Sequence, residues 1–359
     1  VDGEGPSAIN RVEGGADALE YLDQLTWALP YHLNPPRRVL ILGAGGGSEV
    51  QQARQHDVGR IDAVELDPNL VELVRTTFDD YSGHLYSADN VQPIVAEARG
   101  YLNRTPRRYD LIQVALLDSF SASAAGLYAL TESYLYTVEA LASYLDRLTP
   151  QGYLSITRWI KLPPRDTPKL FATAVAALER RGIDAPGRHL ALIRSWQTST
   201  LLIKRTPITE NEIHALQQFC EARAFDVSHF PGIRADVVNR FNRMAEPQLF
   251  NAAQALLGER ADRYIDAYKF NLRPATDDQP YFFHFFKCES LPEIIGLFGQ
   301  GGVPLVDIGY LILVATLVQA VIASVVLILL PLGAARWRHA ELTPAGLRWR
   351  VFGYFGALG

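Results

Sequence analysis

The chain has 359 residues, 48% hydrophobic and 20% charged, which is enough to bury a large core and too apolar for a disordered segment. A net charge of −5, with no Lys/Arg-rich run interleaved with aromatics before residue 330, leaves no electrostatic footprint for nucleic acid. Two distant cysteines, Cys220 and Cys288, exclude a CxxC redox or zinc framework, and eight scattered histidines show no metal-ligand spacing, so no metal is expected.

Residues 1–34 read as a lead-in containing DALEYLDQL, Asp17 to Leu25. From 35 to 205, strand and helix patterns alternate. Arg38–Leu42, Ile61–Leu66, Leu111–Leu117 and Tyr153–Thr157 are short apolar runs, separated by amphipathic stretches at Glu49–His56, Asn69–Phe78 and Ser133–Leu148. Buried strands alternating with helices predict an α/β fold, a doubly wound parallel sheet with helices on both faces. HLALIRSW and TSTLLIKR then predict a hairpin, and a parallel sheet closed by an antiparallel strand is a Rossmann-like sheet of the methyltransferase type.

The stretch 206–302 reads as a helical, membrane-proximal extension without comparable strand signals. Thr209 is placed as an N-cap with Glu212 three residues on. RPATDDQPYFFHFFK reads as an interfacial aromatic strip or a last buried strand, with Asp277 and Asp278 as the alternative, substrate contacts. Ile308–Leu332 carries no charge, so 303–335 is expected to hold a transmembrane helix; 336–359 reads as a loop and the start of a second one, VFGYFGALG. The chain reads as a fragment of a multi-pass membrane protein, with further transmembrane segments of the same protein as partners. The loop arginines, Arg336, Arg338, Arg348 and Arg350 against Glu341, place that loop in the cytoplasm. That conflicts with a cytosolic cofactor supply, which favours a cytoplasmic soluble domain.

The chemistry concentrates at VLILGAGGGSEV, Val39 to Val50. A strand, a glycine turn and a helix bring backbone N–H groups and a helix N-terminus to a ligand, here through Gly43, Gly45 and Gly47. Glu65 ends the next strand, where an acid binds both hydroxyls of a ribose. Ser48 stands where the dinucleotide form GxGxxG needs glycine. Glu97 is placed to accept from an adenine amino group. NAD and S-adenosyl ligands both fit the first two features.

The ordered set VLILGAGGG, AVELDPNLVEL, VAEARGYL, RRYDLI and LYALTESYLYTVEAL resembles the spermidine synthase family, aminopropyltransferases on the S-adenosylmethionine-dependent methyltransferase fold, over roughly residues 15 to 160. The resemblance implies S-adenosylmethionine or its decarboxylated form as cofactor, held by Gly43, Gly45, Gly47, Glu65 and Glu97, and a small-molecule amine as substrate. Asp17, Tyr21 and Asp23 are similar to the family's D-x-x-x-Y-x-E lead-in, whose tyrosine positions the amine.

Two family acids are missing. Gly46 stands where the loop GGGDGG has an acid for the amino end of the cofactor, and Ala115 where an aspartate follows the strand after Tyr-Asp. An amine protonated near pH 7 needs a carboxylate to bind it and remove its proton. The nearest is Asp118, with Glu132 further on, so the catalytic set is Tyr21, Asp23 and Asp118. Asp118 reads equally well as the cap of a Ser-rich turn. Aminopropyl transfer is the leading reading. Methyl transfer, which needs less acid–base help, and a non-catalytic nucleoside-binding module are the alternatives, with a NAD-dependent oxidoreductase as the outsider.

Overall fold

A computed structural model of the chain describes residues 8–12, 16–116, 129–290 and 308–333, together with 292 and 353. It divides into two units, Val1–Ile308 and Gly309–Gly359. The first contains one eight-stranded sheet in the order β3-β2-β1-β4-β5-β7-β6-β8. The strands are β1 Arg38–Leu42, β2 Arg60–Glu65, β3 Val91–Val95, β4 Tyr109–Val114, β5 Leu148–Trp159, β6 Leu190–Arg194, β7 Thr198–Lys204 and β8 Asp226–His229.

β1 to β5 are parallel, whereas β7 runs antiparallel between β5 and β6. That is the methyltransferase-type arrangement expected from the hairpin, and the hairpin itself is β6–β7. β1 shows why the sheet is covered on both sides. Leu40 and Leu42 belong to one buried cluster and Val39 and Ile41 to the other, because successive side chains of a strand point to opposite faces.

The helices of this unit are α1 Leu29–Leu33, α2 Ser48–Gln55, α3 Pro68–Thr76, α4 Ala98–Arg104, α5 Val138–Arg147, α6 Asp166–Glu179, α7 Glu210–Ala222, α8 Gln248–Leu256 and α9 Ala261–Ala267. Local chemistry sets their starts. Asp67 caps α3, with Pro68 in its first turn. At α7, Thr209 and Glu212 form the expected reciprocal capping box.

The extension from 206 differs from the helical reading in two places. First, β8 adds to the sheet edge beside β6. Its sequence, DVSH, carries no apolar run, yet all four residues are buried. Asp226 accepts backbone N–H groups of Arg240, Phe241 and Asn242 at 2.5, 3.0 and 2.7 Å and pairs with Arg194 at 3.1 Å, so its burial is paid in hydrogen bonds.

Second, the aromatic segment is neither a strand nor an interfacial strip. Phe282 and Phe285 are 0% and 1% exposed. They pack against a buried cationic seam that follows β5. The Arg158 guanidinium lies 4.9 Å from the Phe283 ring and 5.3 Å from Tyr136, and Lys169 Nζ lies 5.1 Å from Phe285. Asp166 joins the seam, 3.1 Å from Arg158 and 2.9 Å from Lys161. Burial pushes the Asp166 carboxyl up, but the charges of Lys161, Arg158 and Arg165 win and hold it below its ordinary value. Asp277 receives both Arg99 donors at 2.8 and 2.6 Å and the Thr137 hydroxyl at 2.7 Å. It fastens this segment to α4 and α5.

In the second unit, Ile308–Ser324 is a helix, α10, that continues through a π-helical turn at Val325–Leu329. The stretch Ile312–Gly333, 22 residues, is long and apolar enough to cross a membrane. The expected second span falls outside the described residues apart from 353.

Candidate functional site

Strand order locates the site. β1 connects to β2 on one side, and the chain later crosses to β4 on the other, so the crevice at the carboxyl ends of β1 and β4 is the topological switch point where open α/β sheets bind ligands. The glycine loop lies there. Gly43, Gly45 and Gly47 have φ of +77°, +52° and +88°, the left-handed region that side chains adopt only under strain. Gly47 is the N-cap of α2, so the loop delivers the chain into a helix N-terminus.

Gly46 is glycine for a different reason. A Cβ there would lie 2.3 Å from the Ala8 carbonyl oxygen and 2.7 Å from its carbon. The N-terminal segment 8–12 rests on the loop, and the position that carries an acid in the family's GGGDGG has no room for a side chain. The segment is tied down by Asn10, whose Nδ2 donates to Ser48 Oγ at 3.0 Å, and by Val12, whose N–H donates to the Tyr81 carbonyl at 3.0 Å.

Glu65 sits at the end of β2 against this loop. Its Oε2 accepts the Gly45 N–H at 2.8 Å, and its Oε1 accepts those of Leu66 and Asp67 at 2.8 and 3.0 Å. Three backbone donors fix the carboxylate and leave one of its four lone-pair sites, on Oε2, open to a hydroxyl. Glu97 is exposed and caps α4, accepting the Arg99 N–H at 2.9 Å and the Gly100 N–H at 2.5 Å. Ala115 follows β4 and donates its N–H to Leu42 at 3.0 Å, continuing the β1–β4 ladder. It brings no functional group to the site.

Of the expected catalytic set, Tyr21 and Asp23 engage different partners. Tyr21 is 49% exposed and donates its hydroxyl to Asn10 Oδ1 at 2.6 Å, which connects it through Asn10 to Ser48. Asp23 does not accompany it. Its carboxylate accepts from Arg223 at 2.5 Å and lies 2.8 Å from His32 and 2.9 Å from His56. His56 is the C-cap of α2, so Asp23 is engaged at the end of α2 opposite the glycine loop, ~12 Å away along eight residues of helix. Asp23 joins the lead-in, α1, α2 and α7 instead of facing the loop.

The hub also corrects the reading of scattered histidines. One ligand atom each from Asp23, His32 and His56 lies within 4.8 Å of the others. The Arg223 guanidinium is on that carboxylate and 3.4 Å from His32 Nε2. Asp118 lies outside the described residues, as does the side chain of Asp17. Glu132 is exposed and accepts the Tyr134 hydroxyl at 3.1 Å.

Sequence reasoning missed Glu49. It occupies the first turn of α2 and is 9% exposed, and its carboxylate accepts its own N–H and that of Leu116, the second residue after β4. Burial pushes its carboxyl up against the lowering pull of those two N–H groups. Tyr31 and Tyr86 are close enough to feel its charge; burial first, and then Glu49 for Tyr31 and Glu65 with Glu49 for Tyr86, push both hydroxyls up. Tyr86 donates to the Gly45 carbonyl at 2.6 Å, bracing the loop from beneath. In sequence, an acid in a first helical turn reads as a partner of the helix dipole.

The segment that contains the loop, Glu65, Glu97 and β4 matches a described family, the Spermine/spermidine synthase domain, over residues 23–155. Among curated relatives, polyamine aminopropyltransferase 2 of Hyperthermus butylicus is 29% identical over 118 residues, 33% of this chain and 36% of that protein. Polyamine aminopropyltransferase of Mycobacterium tuberculosis (strain ATCC 25618 / H37Rv) is 24% identical over 271 residues, 74% of this chain and 44% of that protein. The chain therefore spans less than half the length of these relatives. A solved structure of a probable spermidine synthase from Corynebacterium glutamicum has 20% identity and a TM-score of 0.43 over 56% of this chain and 70% of that one.

Proposed function

We propose that the chain binds an S-adenosyl nucleoside at the β1–β4 crevice and transfers the aminopropyl group of decarboxylated S-adenosylmethionine to a small-molecule amine. The observation that carries this reading is the Glu65 carboxylate locked to the Gly45 N–H at 2.8 Å, against three left-handed glycines in the segment that matches the spermine/spermidine synthase domain. Gly43, Gly45 and Gly47 hold the nucleoside by backbone N–H groups. Glu65 takes the ribose hydroxyls, and Glu97 takes the adenine amino group with the lone pairs its capping bonds leave over.

In the reaction the amine nitrogen attacks the aminopropyl carbon next to sulfur. A carbon–nitrogen bond forms as the carbon–sulfur bond breaks, methylthioadenosine leaves, and the amine proton passes to a base. Tyr21 orients the amine, and Asp118 is the proposed base. Asp23 contributes by holding the lead-in that carries Tyr21. Much of the acceleration comes from positioning, because the sulfonium already activates the carbon.

Calorimetry of the chain with decarboxylated S-adenosylmethionine, intact S-adenosylmethionine and methylthioadenosine tests the reading. Preference for the decarboxylated form is expected. Tighter binding of the intact form would replace it with methyl transfer, and binding of none would leave a non-catalytic module. We also place the protein in a membrane through Ile312–Gly333, with further spans and the nucleoside site on the cytoplasmic side. Protease added outside sealed, right-side-out vesicles should leave the domain intact; digestion there would reverse the orientation.

A further inference from the structure

We propose that Glu49 binds the positively charged amino end of the S-adenosyl ligand, in place of the acid that position 46 cannot carry. This rests on the nucleoside site proposed above. Three observations lead to it. A side chain at position 46 is excluded, since its Cβ would fall 2.3 Å from the Ala8 carbonyl oxygen. Ala115, the other place where an acid would be expected, is 5% exposed and carries none. Glu49 then supplies a buried carboxylate that bridges the crevice, from the first turn of α2 after β1 to the Leu116 N–H after β4.

The location is the chemical argument. The ribose acid Glu65 and the adenine-side acid Glu97 follow β2 and β3, on one side of the switch point. A nucleoside lying with its sugar on Glu65 directs its sulfur substituent towards β4, where Glu49 is. Among the described residues no lysine or arginine pairs with Glu49, and two backbone N–H groups are its hydrogen-bond donors. A carboxylate removed from water with so little compensation is costly, and a ligand ammonium supplies the missing charge. The helix N-terminus beside it favours anions, so the carboxylate can stay ionised once the cation is in place.

The test compares ligands with and without that amino group. The chain and its Glu49→Gln variant are titrated calorimetrically with decarboxylated S-adenosylmethionine and with methylthioadenosine, which has no aminopropyl arm. Glu49→Gln should weaken the first by about 10-fold or more, the scale of one charge-assisted hydrogen bond, and leave the second within about twofold. Glu49→Asp, which keeps the charge, should recover part of the preference and gives the same comparison if the glutamine variant does not fold. Equal effects on both ligands would make Glu49 a support of the loop and overturn the inference, as would no effect on either. A wild-type chain that binds neither nucleoside would overturn the site itself; one that binds both, with no loss of affinity for decarboxylated S-adenosylmethionine in Glu49→Gln, would overturn only the role of Glu49.

Discussion

The two halves of the sheet are built by different means. The half from β1 to β4 makes its site from backbone: glycines at positive φ, N–H groups turned onto Glu65, and a helix start. The half from β5 to β8 is held by side chains, with Arg158, Lys161 and Lys169 buried between Asp166 and the rings of Tyr136, Phe282, Phe283 and Phe285. Damage to the first should remove ligand binding at modest cost in stability. Damage to the second should do the reverse.

The sharpest way to break that comparison is Asp166→Asn. Removing one partner leaves Arg158 and Lys161 buried without their shared carboxylate, and about 3–5 kcal/mol of stability should be lost in urea denaturation. Phe282→Ala follows, at roughly 3–4 kcal/mol for a large ring deleted from a closed site. If either variant, still folded, lost nucleoside affinity as steeply as stability, the two halves would not be separable.

Gly47→Ala should cost less in stability, about 1–2 kcal/mol for a side chain at φ +88°, because the Leu85 Cδ2 in its way is the tip of a movable side chain. Its nucleoside affinity should nevertheless fall at least ~10-fold, since a shift of ~1 Å misplaces the N–H donors. Gly46→Ala meets backbone instead. It should lift the segment 8–12, detectable as faster proteolysis near residue 10 than in the wild type.

Acidification should give the smallest effect, confined to the Asp23 hub. Burial holds His56 below its ordinary value, outweighing the pull of Asp23. A histidine kept neutral in the fold stabilises fully above its unfolded pKa, and that contribution shrinks as pH falls below about 6.5. Asp23 is depressed: burial would raise it, but hydrogen bonds and charge from His32 and hydrogen bonds from Arg223 and His56 prevail. Its contribution is present above the unfolded value of about 3.9 and is lost as pH falls through the lower folded value. Thermal melts should therefore decline first below pH 6.5 and again below pH 4, and Asp23→Asn should flatten the second decline while leaving nucleoside affinity at pH 7 unchanged. A wild-type profile flat from pH 7 to 4 would rule the hub out as a titrating unit.

Legibility followed the range of the interaction. The glycine run, Glu65 at a strand end, the β6–β7 hairpin and the Thr209–Glu212 box each depend on neighbours in sequence, and each stands as expected. β3 was missed because VQPIV carries Gln92 and Pro93. It is an edge strand paired only with β2, where proline is tolerated. β8 carries no apolar run, because its buried Asp226 is satisfied by backbone N–H groups 14 to 16 residues away. Asp23 matched a motif by spacing, but its partners are His32, His56 and Arg223, brought together by three different helices.

By itself the sequence determined the sheet class, the place of the glycine loop and the apolar stretch long enough to span a membrane, because strand periodicity, left-handed glycine turns and runs of uncharged residues are properties of contiguous chain. Only the tertiary structure decided the surroundings of Gly46 and Glu49. Steric exclusion by Ala8 and burial against Leu116 are contacts between segments 38 and 67 residues apart, and no local pattern encodes them.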